Sequence, residues 1–358
     1  MESTLTDDLA CEPRELSPAL VFERTGDRRL ALICGFATLA PSSHNTQPWL
    51  FEVDAGVVRV FADRSRALPV VDPHDRELVV SVGAAIGALE VAARRFRHDV
   101  EVAPGRPGDA DAPLATIRFR KGGAATATDL ARFEALFSRR TSRAPFKAAP
   151  PDEAALAACA SDARSLGVVF DAVWDDDARR EIAALVAKGD ERQFGDPRFR
   201  RELALWVRSA SLGARDGMSG SGFGMPDLLA PAARFAIRTF DLGAGVAASD
   251  RDKIMAGSPA LALLSAPDDE PASLIAAGRA LMRILLRLEG EGLSAGYLNQ
   301  PIEREELRPR LGVVFGIAGA PQILLRVGEP TAGAPPSARR SIREAVRMAG
   351  GKRRPEST

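Results

Sequence analysis

The 358-residue chain is 46% hydrophobic and 27% charged, which supplies a sizeable core and excludes wholesale disorder. Lys plus Arg equals Asp plus Glu at 48 each, so charge gives no general case for nucleic-acid or membrane partners. No run of about 18 apolar residues occurs, and the acidic start "MESTLTDDLACEPREL" lacks the basic region and apolar core of a secretory signal. Three cysteines (Cys11, Cys34, Cys159) show no metal spacing, and a reduced, cytoplasmic setting is expected.

In chain order, the first twenty residues read as a loose arm and 27–40 as a helix. The polar junction "PSSHNTQPW" then leads into "LFEVDAGVVRVFADRS", whose Asp54-Ala55-Gly56 break between alternating apolar runs predicts a hairpin. Residues 75–97 form a long helix, apolar and rich in small residues, predicted to be deeply buried. "DVEVAP" and "PLATIRFR" are short strands, "DLARFEALFSRR" and "DEAALAACASDARSLG" are helices, and "VVFDAVW" is a strand. A charged helical stretch covers 178–212, followed by the glycine-rich "GARDGMSGSGFGMP". Residues 259–267 are a strand, 273–292 a helix, "LSAGYLNQP" a strand segment, and 320–330 the expected last strand. "PPSARRSIREAV" is basic and partly helical. Strands and helices mix without regular βαβ alternation, which predicts an α+β fold.

A faint repeat relates the two long helices. Setting Gly83 against Gly278 places Val79 opposite Leu274, Val82 opposite Ala277, Ile86 opposite Leu281 and Leu89 opposite Ile284. Each copy joins an acidic, proline-containing turn to a buried helix and a following strand, as an internal duplication would.

Three common catalytic signatures are missing: there is no GxxxxGK[ST], HExxH or CxxC. His44, His74 and His98 lie far apart and read as loop or surface residues. "GSGFG" has neither a strand leading in nor a helix following at once, so it is no dinucleotide fingerprint. Two stretches remain. "PSSHNTQPW" offers hydroxyls and amides at a helix-to-strand junction, suited to the polar rim of a flat heterocycle, or simply a helix stop with a turn. "SRRTSRAPF" sets Arg139, Arg140 and Arg143 around Thr141, suited to a phosphate or carboxylate, or simply a solvated basic surface.

Together the two stretches resemble the flavin-contacting motifs "PSxxNxQPW" and "RxSxR/K" of the nitroreductase superfamily. The element order is most similar to the Acg-like branch: "APSSHNTQPW", "DPHDRELVVSVGAAIGALEVAA", "RRTSRAPF", "GYLNQPIEREELRPRLG", "APQILLRVGEP" and a late "ARR", over roughly residues 28–345. The resemblance implies a nitroreductase-like α+β fold in which two fused, pseudo-symmetric halves stand for a homodimer. The expected boundaries are an arm at 1–25, a first half at 26–130, a second half at 131–345 carrying a glycine-rich lid around 213–228, and a flexible tail at 346–358. It also implies one FMN per chain, because each half-motif occurs once. An outer homodimer is compatible with this site but not needed to build it.

By the same resemblance, Pro41, Ser42, Ser43 and Asn45 lie along the isoalloxazine, with Gln47, Pro48 and Trp49 leading into the sheet. Arg139, Thr141 and Arg143 match the second motif: Arg139 for phosphate or ribityl oxygens, Arg143 for the N1/O2 edge, where positive charge favours the reduced flavin. Arg339 and Arg340 match a C-terminal phosphate clamp, and the backbone at Ala295 and Gly296 matches the strand passing flavin N5. No catalytic side chain is identified. The "EG" motif of typical nitroreductases is absent, with "SAGYL" in its place. The implied activity is hydride transfer from NAD(P)H through FMN to a small nitro or quinone acceptor. The alternative is an FMN-sequestering protein with Met218, Phe223 and Met225 on a closed lid.

Overall fold

The computed structural model describes residues 8–105, 112–220 and 226–349. The helices in chain order are α1 (Pro18–Glu23), α2 (Gly26–Ala37), α3 (Arg76–Arg95), α4 (Ala127–Ser138), α5 (Glu153–Arg164), α6 (Asp176–Gly195), α7 (Pro197–Trp206), α8 (Ala230–Thr239), α9 (Gly243–Gly257), α10 (Pro271–Gly290), α11 (Arg308–Phe315) and α12 (Ile342–Ala345). The strands are β1 (Trp49–Asp54), β2 (Val57–Ala62), β3 (His98–Pro104), β4 (Ala115–Lys121), β5 (Val169–Val173), β6 (Ala260–Ala266), β7 (Ser294–Tyr297), β8 (Ala320–Gly328) and β9 (Val346–Met348). They form two sheets of order β3-β4-β2-β1-β9 and β5-β6-β8-β7. All pairings between strands are antiparallel except β1 with β9.

The predicted hairpin forms with Asp54 opposite Val57. Ala55 and Gly56 both take positive φ, the geometry that matches a two-residue turn to strand twist, and the Asp27 carboxylate accepts both their amide protons.

The two long helices, α3 and α10, pack against each other at the centre of the molecule. The glycines paired by the repeat meet at their crossing. A Cβ on Gly278 would lie 2.1 Å from the Val80 carbonyl oxygen and 2.6 Å from the Ala84 nitrogen, and one on Gly83 would lie 2.5 Å from the Ile275 carbonyl oxygen. Only hydrogen at both positions lets the backbones approach so closely. Beside this crossing, a Glu90–Arg279 ion pair links the same two helices at 2.6 Å.

Three expectations are corrected. The arm is not loose over its described part: Leu9, Leu16 and Val21 are buried, and the carbonyls of Leu9 and Cys11 accept from the amides of Arg343 and Ile342. β8 is not the last strand. β9 returns to the first sheet beside β1, with the Ala349 amide bonded to the Val53 carbonyl, so the tail expected from residue 346 begins as sheet, and 350–358 lie outside the described residues. Residues 346–348 therefore belong to the first sheet rather than to the half they follow in sequence. Helices α8, α9 and α11 were also not anticipated. α9, "GAGVAASDRDKIMAG", offers few large apolar residues to reveal a helical period.

Candidate functional site

The junction after α2 is wound unusually tightly. His44, Asn45 and Gln47 have φ of 49°, 55° and 53°, three left-handed non-glycine residues within four positions. Such a cluster persists only where its surroundings over-determine it. Here they do. Ser42 Oγ accepts from the Gln47 amide at 2.9 Å, and Ser43 Oγ donates to Glu77 Oε2 at 2.5 Å. Asn45 Nδ2 donates to the carbonyls of Gly217 (3.0 Å) and Ala338 (3.1 Å), while its Oδ1 accepts from Arg339 Nη1 at 3.0 Å. Gln47 is fully buried; its Nε2 donates to the Arg215 carbonyl and its Oε1 accepts from the Arg340 amide. Asn45 and Gln47 thus spend their side-chain amide hydrogens on protein carbonyls, tying the glycine-rich segment and the late arginines to the motif. Pro41 stands at the entrance of this turn, and Trp49 is wholly buried in the core.

His44 lies in the loop, as expected, but it is half-buried rather than on the open surface. Its Nδ1 is buried without a partner, and burial holds its pKa down at about 4; Glu77 opposes this shift and Arg143 adds to it. The ring is neutral at neutral pH.

The second motif runs beside β7. Thr141 bridges Ala295 in parallel, and the Ser142 amide donates to the Ala295 carbonyl at 2.9 Å. A Cβ on Gly296 would sit 2.5 Å from the Ser142 carbonyl oxygen, so this glycine is required by the loop crossing it. Arg139 caps the C-terminus of α4 and is buried. Its one hydrogen bond to protein is a long one, from Nη2 to the Leu39 carbonyl at 3.5 Å, and its Nε has no partner. Arg339, only 2% exposed, donates to the same carbonyl at 3.0 Å and to those of Ala40 and Asn45's neighbour in the clamp, Ala338; its Nε is also unpartnered. Two guanidinium groups therefore share one carbonyl oxygen.

Two residues missed in the sequence join them. Arg14, on the arm, donates to the Ser337 carbonyl at 3.0 Å, and Arg339 Nη1 reaches that oxygen at 3.5 Å. Tyr297, the chain's single tyrosine, has a buried hydroxyl without a partner. Burial pushes that hydroxyl up to about 12, opposed by Arg139 and Arg339 and reinforced by Glu77. Its position directly after Ala295-Gly296 was a signal; nothing in the arm's composition marked Arg14. Arg140 lies half-buried beside the cluster, its Nη1 on the carbonyls of Phe137 and Arg139.

Among the described residues, no carboxylate lies within ion-pair distance of Arg14, Arg139, Arg140 or Arg339. Burial lowers the pKa of each, and neighbouring arginines lower those of Arg14, Arg139 and Arg339 further. Arg340 departs from the expected clamp. It bonds the carbonyls of Gln47 and Glu344 and lies 3.6 Å from Asp63, so its charge is already balanced and it faces away from the other four. Arg143 lies exposed on the loop, on the His44 side.

The glycine-rich segment is fastened down over its described part. Asp216 pairs with Arg66 and Arg208, the Gly217 amide donates to the Asn45 carbonyl, and Met218 exchanges backbone bonds with the 206–208 stretch. Phe223 and Met225, expected on the lid, lie outside the described residues.

Two buried and two half-buried cations without an anion, beside orphaned donors, make the chemistry of a site for a phosphate-bearing ligand. The chain is 31% identical over 323 residues to the "Putative NAD(P)H nitroreductase acg" of Mycobacterium tuberculosis, covering 86% of this chain and 92% of that protein. It is 25% identical over 336 residues to the "Probable NAD(P)H nitroreductase PigM" of a Serratia species, covering 88% and 92%. Among solved structures, the FMN-dependent nitroreductase NfnB of Mycobacterium smegmatis aligns over 62% of this chain and 99% of its own at 18% identity and a TM-score of 0.42. No family model matches the chain. The protein belongs to the NAD(P)H nitroreductase family and, within it, stands with the acg proteins. No helix among the described residues is long and apolar enough to cross a membrane.

Proposed function

We propose that the chain holds one FMN, its phosphate among Arg139, Arg339 and their neighbours and its ring along the 41–45 turn. The observation that carries this reading is the set of buried arginines lacking any carboxylate. The glycine crossing of α3 and α10 and the two sheets support a chain built from two fused halves, of which one combination keeps both polar motifs. FMN, when bound, supplies a two-electron carrier. The protein's own part is to neutralise the phosphate, keep His44 uncharged beside the turn, and restrict access with the 213–220 segment.

We further propose an NAD(P)H-dependent oxidoreductase acting on a small nitro compound or quinone. A second reading, FMN sequestration, is favoured by one specific observation: the glycine-rich segment is clamped by Asp216, Asn45 and Gln47. The flavin assignment is tested by the absorbance spectrum of the purified protein and quantification of released FMN. About one per chain is expected; failure to bind added FMN would overturn it. Asp216→Ala, which removes both ion pairs of the clamp, separates the two readings. NAD(P)H oxidation by the unaltered protein supports the enzyme, and turnover only after Asp216→Ala supports sequestration.

A further inference from the structure

The carbonyl oxygens of Ser337 and Leu39 string three guanidinium groups together. Arg14 and Arg339 meet at Ser337, and Arg339 and Arg139 meet at Leu39. Arg339 and Arg139 belong to the motifs that the family resemblance identified. Arg14 does not. It is brought there by the N-terminal arm, which is held to the chain's far end by only a few bonds. These are the Leu9 and Cys11 carbonyls on Arg343 and Ile342, and Arg14 itself on Ser337. Leu16, just ahead of the first helix, and Val21 within it join the core on one side of Arg14; on the other side the arm is held by buried Leu9, the Asp8 pairs with Arg24 and Arg28, and the two backbone bonds.

Arg14 is therefore in an electrostatically adverse place. Like charges face it from Arg139 and Arg140 on the loop after α4 and from Arg339 on the 337–340 segment. The carboxylates whose charge reaches the group, Glu12 on the arm and Glu289 on α10, stand beyond ion-pair distance. Its Nε is buried without an acceptor. Only an anion at the common centre turns this repulsion into attraction.

We propose that Arg14 is a ligand of the bound phosphate and that the arm is a strap, drawn closed by the phosphomonoester and loosened without it. The inference rests on the flavin reading above. The ligand class it requires is a phosphomonoester dianion, so FMN should close the strap and riboflavin, which lacks the phosphate, should not.

The test is hydrogen–deuterium exchange of the peptide spanning residues 8–24 in the full chain stripped of flavin, alone and with saturating FMN or riboflavin. It is accompanied by FMN titration of the unaltered chain, Arg14→Gln and Arg339→Gln. The expected result is slower exchange of the arm with FMN only, loss of that protection in Arg14→Gln, and FMN affinity weakened roughly 10-fold or more in the same variant. Arm exchange that ignores FMN, or an Arg14→Gln chain with unaltered affinity, would overturn the strap while Arg339→Gln still shows weakened binding. If Arg339→Gln binds FMN as tightly as the unaltered chain, the site reading itself fails.

Discussion

Arg139→Met should move stability and binding in opposite directions. In the flavin-free chain, Arg139 contributes one long hydrogen bond, 3.5 Å to Leu39, while its guanidinium shares that oxygen with Arg339. Two unit charges about 6 Å apart at an effective dielectric constant of about 20 repel by about 3 kcal/mol. The long hydrogen bond returns no more than about 1 kcal/mol, and methionine replaces the buried stem with adaptable apolar volume. The stripped variant should therefore melt above the stripped parent. With FMN present the same change removes charge-assisted bonds to phosphate, about 1.5–3 kcal/mol, which weakens binding roughly 10- to 150-fold. Differential scanning calorimetry with and without FMN, together with a fluorescence titration, reads both quantities. A stripped variant that melts well below its parent while retaining full FMN affinity would refute the reasoning, because Arg139 would then be an ordinary structural residue.

Gly278→Ala drives a Cβ to 2.1 Å from the Val80 carbonyl oxygen in backbone that cannot yield cheaply, and should lower stability by about 1–3 kcal/mol or more, measured by chemical denaturation. The single tyrosine allows a clean titration at 295 nm: Tyr297 should ionise only near pH 12, and ionisation near 10 would show its hydroxyl to be solvated. Because the folded pKa lies above the unfolded one, its contribution to stability is intact below pH 10 and falls as pH rises from about 10 to about 12. Asp190, 1% exposed between α6 and α9 and beside Asp250, has its carboxyl pushed up to about 7, chiefly by burial. Its protonated form is favoured by folding, so stability declines as pH climbs from about 4 to about 7. Asp190→Asn should flatten the melting temperature over that window and raise it at pH 8.

The central architecture was legible because its signal is local and repeated. Two long runs of small and apolar residues announced buried helices, and aligning Gly83 with Gly278 named the pair that meets at their crossing. The hairpin at Asp54-Ala55-Gly56 was equally plain, since both turn residues adopt the φ their positions demand. Arg139, Arg339 and the 41–47 turn do converge. What escaped was non-local. Arg14 reaches the site only because the arm bonds to residues some 330 positions later, and no short pattern encodes that. Arg340 sits next to Arg339 in sequence yet turns to Asp63, a partner 277 positions earlier that no short pattern encodes. Asn45 and Gln47 were read for the chemistry of their amides; their tertiary partners, Gly217, Ala338, Arg215 and Arg340, determine how those amides are used.

The return of β9 to the edge of the first sheet has a consequence for how the molecule is made. The first sheet lacks its β9 edge, and the arginine group lacks Arg339, until synthesis has passed residue 348. Before that point a growing chain can fold α3 against its strands, but the arginine group is unfinished. A truncation after residue 338 should therefore leave most of the core able to fold while removing Arg339, and with it the proposed flavin binding.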